Sequence, residues 1–188
     1  MLLAIIGLPA AARAHLVTTG LGPLYDGMTH LAVSPGDLLL VVCLALFAGL
    51  GGAARGRGVL AALPITWLVG GLVGLRFVEE IAAPVASALA LVLLGALVAA
   101  DARLPRRAVL GVVVVLGVFY GALNGSALSA ARSGPLALVG IIVAVTVLMT
   151  LIAALVVSMR PGWMRIVVRV AGSWIAAVGL LMVGWALR

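Results

Sequence analysis

Three residues near the N-terminus carry side chains that can ligate a metal ion, and their spacing would bring two of them together. Pro23 can occupy the first position of a helix, in which Asp26 and His30 would lie four residues apart on one face. A carboxylate and an imidazole on one face are ligands for Zn, Ni, Co or Cu. Asp37 follows shortly, in a Ser-Pro-Gly-Asp sequence that is also typical of a capped helix start. The pattern therefore predicts either a set of metal ligands or an interfacial helix followed by a helix cap.

A fourth candidate ligand depends on how the chain is processed. Residues 1–14 contain a short apolar run and end in Ala-Arg-Ala, the small-x-small pattern that precedes a signal-peptide cleavage point. Cleavage after Ala14 would make His15 the first residue of the mature protein, so that its free amine and its imidazole could hold one cation together. Since no basic residue precedes the apolar run, the alternatives are a true start codon further upstream and a retained interfacial segment.

Two further polar residues lie inside an otherwise apolar stretch. Tyr120 and Asn124 are four residues apart, beside a ridge of small residues formed by Gly117, Gly121 and Gly125. Such a ridge allows close approach of a neighbouring helix in a membrane, and polar side chains at membrane depth usually face the interior of a bundle. Tyr120 and Asn124 are therefore expected either to bond to a neighbouring helix or to form one wall of a polar path.

The elements that must position these residues are long and uncharged. From residue 38 onward, six stretches of 17 to 27 residues contain no charged side chain. A helix of about 20 apolar residues crosses the hydrocarbon core of a bilayer, and a single helix satisfies all of its own backbone there. We therefore predict an all-α, polytopic transmembrane bundle with six spans: Leu38–Ala54, Gly58–Leu75, Ile81–Ala100, Ala108–Ala131, Ser133–Met159 and Val170–Leu187.

Composition and domain organisation agree with this prediction. Hydrophobic residues make up 65% of the 188 residues and charged residues only 9%, which excludes an ordinary soluble domain. The connections are too short to contain a folded domain. The predicted organisation is a signal-like segment over residues 1–14, an extracytoplasmic polar segment over 15–33, and a transmembrane domain over 34–188.

The net charge of +7 is explained by topology. The chain has twelve arginines and no lysine, and eight of the arginines fall on one side if the spans alternate. An excess of basic residues in short loops marks the cytoplasmic side. We therefore predict a multi-pass protein of a bacterial inner (cytoplasmic) membrane, with both mature termini extracytoplasmic. No basic face is interleaved with aromatic residues, so nucleic acid is not an expected partner. The eight arginines are Arg55, Arg57, Arg103, Arg106, Arg107, Arg160, Arg165 and Arg169.

Two short motifs resemble the signatures of the HupE/UreJ family, which comprises small polytopic membrane proteins associated with nickel or cobalt supply to hydrogenases and ureases. The first is His30, a Gly-containing spacer, and Asp37 followed by two leucines. The second is Phe119, Gly121 and Gly125 in the fourth span. Three histidines of the family pattern are replaced here, by Leu38, Tyr120 and Asn124.

The resemblance implies a permease or metal-handling protein for a divalent transition-metal ion similar to nickel or cobalt. The ion would be a substrate, with no tightly bound cofactor, and would be collected on the extracytoplasmic face. The expected metal ligands are His15, Asp26, His30 and Asp37, while Tyr120 and Asn124 would line the path of the ion or support its ligands.

The alternative is a non-transporting membrane subunit whose polar residues are structural. Few polar residues follow toward the cytoplasmic side, and Thr150, Ser158 and Ser173 are the only candidates there. A homo-oligomer or a metalloenzyme assembly partner is compatible with either function. An enzyme is not expected, because no Ser–His pair, paired aspartates or His-Glu-x-x-His motif lies within the spans.

Overall fold

The structure is a computed structural model that describes residues 19–77, 79–159 and 162–188. Every regular element in these ranges is an α-helix, and proline lies in the first turn of four of them, where its missing N–H would have no intrahelical partner. The helices are α1 (Pro23–Val33), α2 (Pro35–Leu50), α3 (Ala53–Gly74), α4 (Pro84–Ala99), α5 (Arg106–Ala130), α6 (Gly134–Ser158) and α7 (Gly162–Ala186).

The prediction of an all-helical membrane protein is confirmed, but the count of six spans is not. Four helices (α3, α5, α6 and α7) are long and apolar enough to cross a bilayer. The pair α1 and α2 would add a fifth span if it is counted as one broken span, and its two helices meet at a bend of 78°. The remaining helix, α4, is apolar but has only 16 residues, or about 24 Å at 1.5 Å per residue. The signal-like segment and His15 lie outside the described residues.

The helix that contains the sixth predicted span begins before that span. Helix α7 starts at Gly162, so Arg165 and Arg169 belong to its first turns. Both arginines are held by the end of α4: Arg165 donates to both carboxylate oxygens of Asp101 at 2.7 and 2.8 Å, and Arg169 donates to the carbonyl of Ala99 at 2.8 Å. Arginine is a favourable helix residue, so the helix continues through both charged positions.

Helix α2 is the central helix of the bundle. It packs against α3, α4, α6 and α7, and its residues from Leu40 to Gly49 are buried on all sides except for Val42. A helix that is apolar all round is expected in such a position. Around it, α3 pairs most extensively with α5, α4 with α7, and α1 with α6.

The glycine ridge of α5 packs against α3 and not against α2. A Cβ atom added at Gly121 would collide with the carbonyl of Trp67, and one at Gly125 with the carbonyl of Gly71. The reason is that α3 supplies a complementary ridge, in which Gly70 lies against the carbonyl of Val118 on α5. Two small-residue ridges bring the helix backbones closer than one ridge against the bulky face of α2.

The arginine-rich connections meet at one end of the bundle, which we call the basic end. Arg55, at the start of α3, donates to the carbonyl of Leu104 between α4 and α5 at 3.0 Å. The Asp101–Arg165 pair joins the same connection to α7, and its hydrogen bond holds the pKa of the Asp101 carboxyl below its usual range. Helix α2 ends at Leu50, shortly before Arg55, so the bend at the start of α2 lies at the opposite end.

Candidate metal site at the bend between α1 and α2

The bend between α1 and α2 places a histidine and an aspartate side by side. His30 is in the last turn of α1, Asp37 is in the first turn of α2, and Ser34 lies between the two helices. The Nε2 atom of His30 is 3.8 Å from Oδ2 of Asp37 and 3.3 Å from the hydroxyl of Ser34. A straight helix would place residues seven apart about two turns from each other, so the bend is what brings the imidazole to the carboxylate.

Helix α5 completes this group from the other side. The side-chain amide of Asn124 donates a hydrogen bond of 2.8 Å to Oδ2 of Asp37. His30 and Asn124 are each only 4% exposed, and the side chain of Asp37 is 13% exposed. We call His30, Ser34, Asp37 and Asn124 the bend cluster. It forms a nearly closed polar site at the end of the bundle opposite the basic end.

Two buried atoms of the bend cluster have no hydrogen-bond partner among the described residues. They are Nδ1 of His30 and Oδ1 of Asn124. Leaving a buried polar atom unpaired costs about 1–3 kcal/mol, so such atoms need an explanation. An imidazole nitrogen and an amide oxygen can both donate an electron pair to a cation. The indole N–H of Trp67 is also unpaired, but a donor group of this kind cannot ligate a cation.

The other predicted site residues are engaged elsewhere. Asp26 accepts hydrogen bonds from the backbone N–H and the hydroxyl of Thr19, at 2.6 and 2.7 Å. Tyr120 is 1% exposed and donates to the backbone carbonyl of Ser87 on α4 at 3.1 Å. Tyr120 therefore joins α5 to α4 and makes no hydrogen bond to the bend cluster.

Sequence reasoning assigned Ser34 only to a helix cap. Ser34 does occupy the N-cap position of α2, but its side chain makes no capping hydrogen bond. Instead its hydroxyl faces His30, four residues earlier, and the carboxylate of Asp37 bonds to Asn124. The spacing of four between His30 and Ser34 was the feature of the sequence that could have predicted this contact. The proline after Ser34 indicated the start of a new helix instead, so the two residues were not considered together.

No three His, Cys, Asp or Glu side chains come together to form a metal-binding group within the described ranges. The polar residues expected on the way to the basic end do not continue from the bend cluster either. Thr150, Ser158 and Ser173 are exposed on the outside of the bundle, and each hydroxyl donates to a carbonyl of its own helix. The bend cluster thus holds two side chains of the types that can ligate a metal ion, with oxygen atoms beside them, and no polar path leads from it through these three residues.

Comparison with known proteins agrees with the motifs around the bend cluster. The model of the family described as HupE / UreJ protein matches residues 3–182, which is nearly the whole chain. Comparisons with curated proteins and with solved structures yield no match. The matched range includes both short motifs, with His30 and Asp37 in the first and Asn124 in the second. On this match the chain belongs to the HupE/UreJ family.

Proposed function

We propose that this protein binds a divalent transition-metal ion as its substrate at the bend cluster. The observation that carries the proposal is the pairing of His30 with Asp37 beside two buried and unpaired atoms, Nδ1 of His30 and Oδ1 of Asn124. A carboxylate and an imidazole, with amide and hydroxyl oxygens beside them, form a mixed nitrogen and oxygen set that suits divalent first-row metals. Association of the family with nickel and cobalt supports these two ions as the substrates.

The small number of strong ligands is consistent with a substrate site. A resident structural metal is held by four ligands in a closed shell, whereas a transported ion must be bound well enough to enter and weakly enough to leave. His30 and Asp37 supply two strong ligands, and Asn124 and Ser34 supply neutral oxygens. Water would complete the coordination of an ion at such a site.

The arginine distribution supports collection of the ion from the extracytoplasmic face. The positive-inside rule favours the basic end as the cytoplasmic side because the arginine-rich connections lie there, and the bend cluster lies at the other end. Glu79 and Glu80 are exposed in the connection from α3 to α4 at that same end. Their charges, unlike those of the basic end, would attract a cation.

A second candidate function is favoured by a specific observation. The three polar residues expected on the cytoplasmic side, Thr150, Ser158 and Ser173, face away from the bundle interior. They therefore form no polar path from the bend cluster to the basic end. A protein that binds the ion and passes it to a partner, without carrying it across, would need no such path. Binding and transport must therefore be tested separately.

Binding is tested by thermal unfolding of the full-length protein in detergent, first with a chelator and then with Ni²⁺ or Co²⁺. When the free ion is present at a concentration 100 times its Kd, binding stabilises the folded state by about 2.7 kcal/mol. We expect this stabilisation in the wild type and its loss in Asp37→Asn and His30→Gln. Asp101→Asn is the matched control, since it makes the same substitution at the basic end. Equal stabilisation of the wild type and Asp37→Asn would refute the site.

Transport is tested with the same variants in vesicles that contain a metal-sensitive fluorophore. Uptake that depends on Asp37 supports the permease. Binding that depends on Asp37, without uptake above empty vesicles, supports the non-transporting subunit.

A further inference from the structure

Helices α4 and α5 are consecutive in the chain but make few contacts with each other. Helix α4 packs on α2 and α7, whereas α5 packs on α3 and α6. The hydrogen bond from Tyr120 to the carbonyl of Ser87 holds the two helices together near the opposite end. Between them lies a groove of about 750 Å³, a volume within the range of about 300–1,000 Å³ that is typical of small-molecule sites.

The groove is lined entirely by apolar residues. Its lining runs from Ala90 to Ala100 on α4 and from Ala108 to Leu116 on α5. Ten residues of helix rise about 15 Å, which is half of the roughly 30 Å hydrocarbon thickness of a bilayer. The groove therefore has the length of one leaflet, and it begins at the basic end.

A glycine widens the groove at its centre. A Cβ atom added at Gly111 would meet no atom within 4 Å, so this glycine is not explained by close packing of helices. In contrast, Gly117 and Gly121 on the same helix have no room for a Cβ because α3 lies against them. Gly111 and the alanines of the lining leave a smooth apolar groove that no side chain of the protein fills.

Positive charge lies at the basic end of this groove. Arg103 is exposed in the connection between α4 and α5, and Arg107 is exposed in the first turn of α5. Arg107 precedes Gly111 by four residues and shares its helical face. Among the described residues, Asp101 is the carboxylate near them, and it is already bound to Arg165, so positive charge is in excess there. An apolar groove of one-leaflet depth with an excess of arginines at its basic end matches the shape and charge of a lipid with an anionic headgroup.

We propose that the groove between α4 and α5 binds one acyl chain of an anionic phospholipid, whose net negative headgroup is attracted by Arg103 and Arg107. This site is at the opposite end of the bundle from the bend cluster and does not depend on metal binding. The apolar chain would complete the surface between two helices that do not pack on each other. The two arginines would select the anionic headgroup over a zwitterionic one.

The proposal is tested by native mass spectrometry of the full-length protein with equal amounts of phosphatidylglycerol and phosphatidylcholine that carry the same acyl chains. The wild type is expected to retain one phosphatidylglycerol in preference to phosphatidylcholine. Replacing Arg103 and Arg107 by Gln should weaken binding of phosphatidylglycerol about fivefold for each arginine and leave phosphatidylcholine unchanged.

A variant that fills the groove separates this site from general attraction to anionic lipid. Gly111→Leu places a side chain where the structure has open space, so it should fold normally and lose the bound lipid. Gly184→Leu is the matched control, because a Cβ at Gly184 on α7 also meets nothing within 4 Å. Two results would overturn the proposal. One is equal lipid retention by Gly111→Leu and Gly184→Leu, and the other is a dimer that Gly111→Leu abolishes, which would assign the groove to a second copy of the chain.

Discussion

The hydrogen bond between Asp37 and Asn124 joins α2 to α5, although the two residues are 87 positions apart in the chain. Exchanging the aspartate and the asparagine tests how much this bond contributes to stability. Asn124→Asp removes the donor and sets two carboxyl groups at hydrogen-bond distance. A bond to a charged group contributes about 1.5–3 kcal/mol, while interhelical bonds in membranes average about 0.6 and reach about 1.7 kcal/mol. Because this bond is 2.8 Å long and buried, we expect a loss of about 1–2 kcal/mol.

The double variant Asp37→Asn with Asn124→Asp restores one amide and one carboxylate in exchanged positions. We expect its stability to return to within about 0.5 kcal/mol of the wild type, which gives a coupling free energy of about 1–2 kcal/mol between the two sites. The measurement is reversible unfolding in detergent with a chelator present, followed by tryptophan fluorescence. Trp67 is a suitable reporter, because its ring centroid lies 6.0 Å from that of Tyr120 on α5.

A coupling free energy near zero would refute this reasoning. The two substitutions would then act independently, and the contact between α2 and α5 would contribute nothing to the fold. Asp37→Asn alone is the reference for lost charge, since an amide at position 37 can still accept a hydrogen bond from Asn124.

Further predictions concern packing, charge, processing and topology. Gly121→Val should destabilise the bundle by about 1–3 kcal/mol, because its side chain would collide with the backbone of α3, while Gly111→Ala should be neutral or stabilising in the same unfolding assay. The Asp101–Arg165 pair should contribute less than about 1 kcal/mol. Its contribution is complete above the ordinary carboxyl pKa of 3.8 and is lost as the pH falls through the lowered value, so acid unfolding of the wild type and Asp101→Asn should converge below that range. Intact-mass measurement of protein from native membranes should show a chain that begins at His15, and a mass that includes residues 1–14 would contradict cleavage. Reporter fusions at Arg57 and Arg103 of the basic end should give cytoplasmic signals. Fusions at Glu80 and Ser133 of the other end should give extracytoplasmic signals. Reversed signals at any two of the four positions would refute the orientation.

The fold class could be read from the sequence because hydropathy is a local property. Each apolar stretch must form a helix to satisfy its own backbone in a bilayer, whatever its neighbours are. The grouping of arginines into alternate connections is equally local, and the structure brings Arg55 to Leu104 and Arg165 to Asp101 at one end. Helix bounds were less certain from sequence, since the uncharged stretch begins at Val170 whereas α7 already begins at Gly162.

Which residues form the candidate site depended on tertiary structure. The spacing of Asp26 and His30 indicated a shared face, but Asp26 bonds to Thr19, and His30 meets Asp37 because the chain turns by 78° between α1 and α2. Tyr120 and Asn124 were a single pair in the sequence, yet they bond to different helices. The sequence determined that the polar side chains of Tyr120 and Asn124 had to be buried inside the bundle, because the stretch around them is apolar. Only the packing of α5 on α3 decided that Asn124, and not Tyr120, would reach the carboxylate, because a helix position relative to its neighbours is set by contacts between residues far apart in the chain.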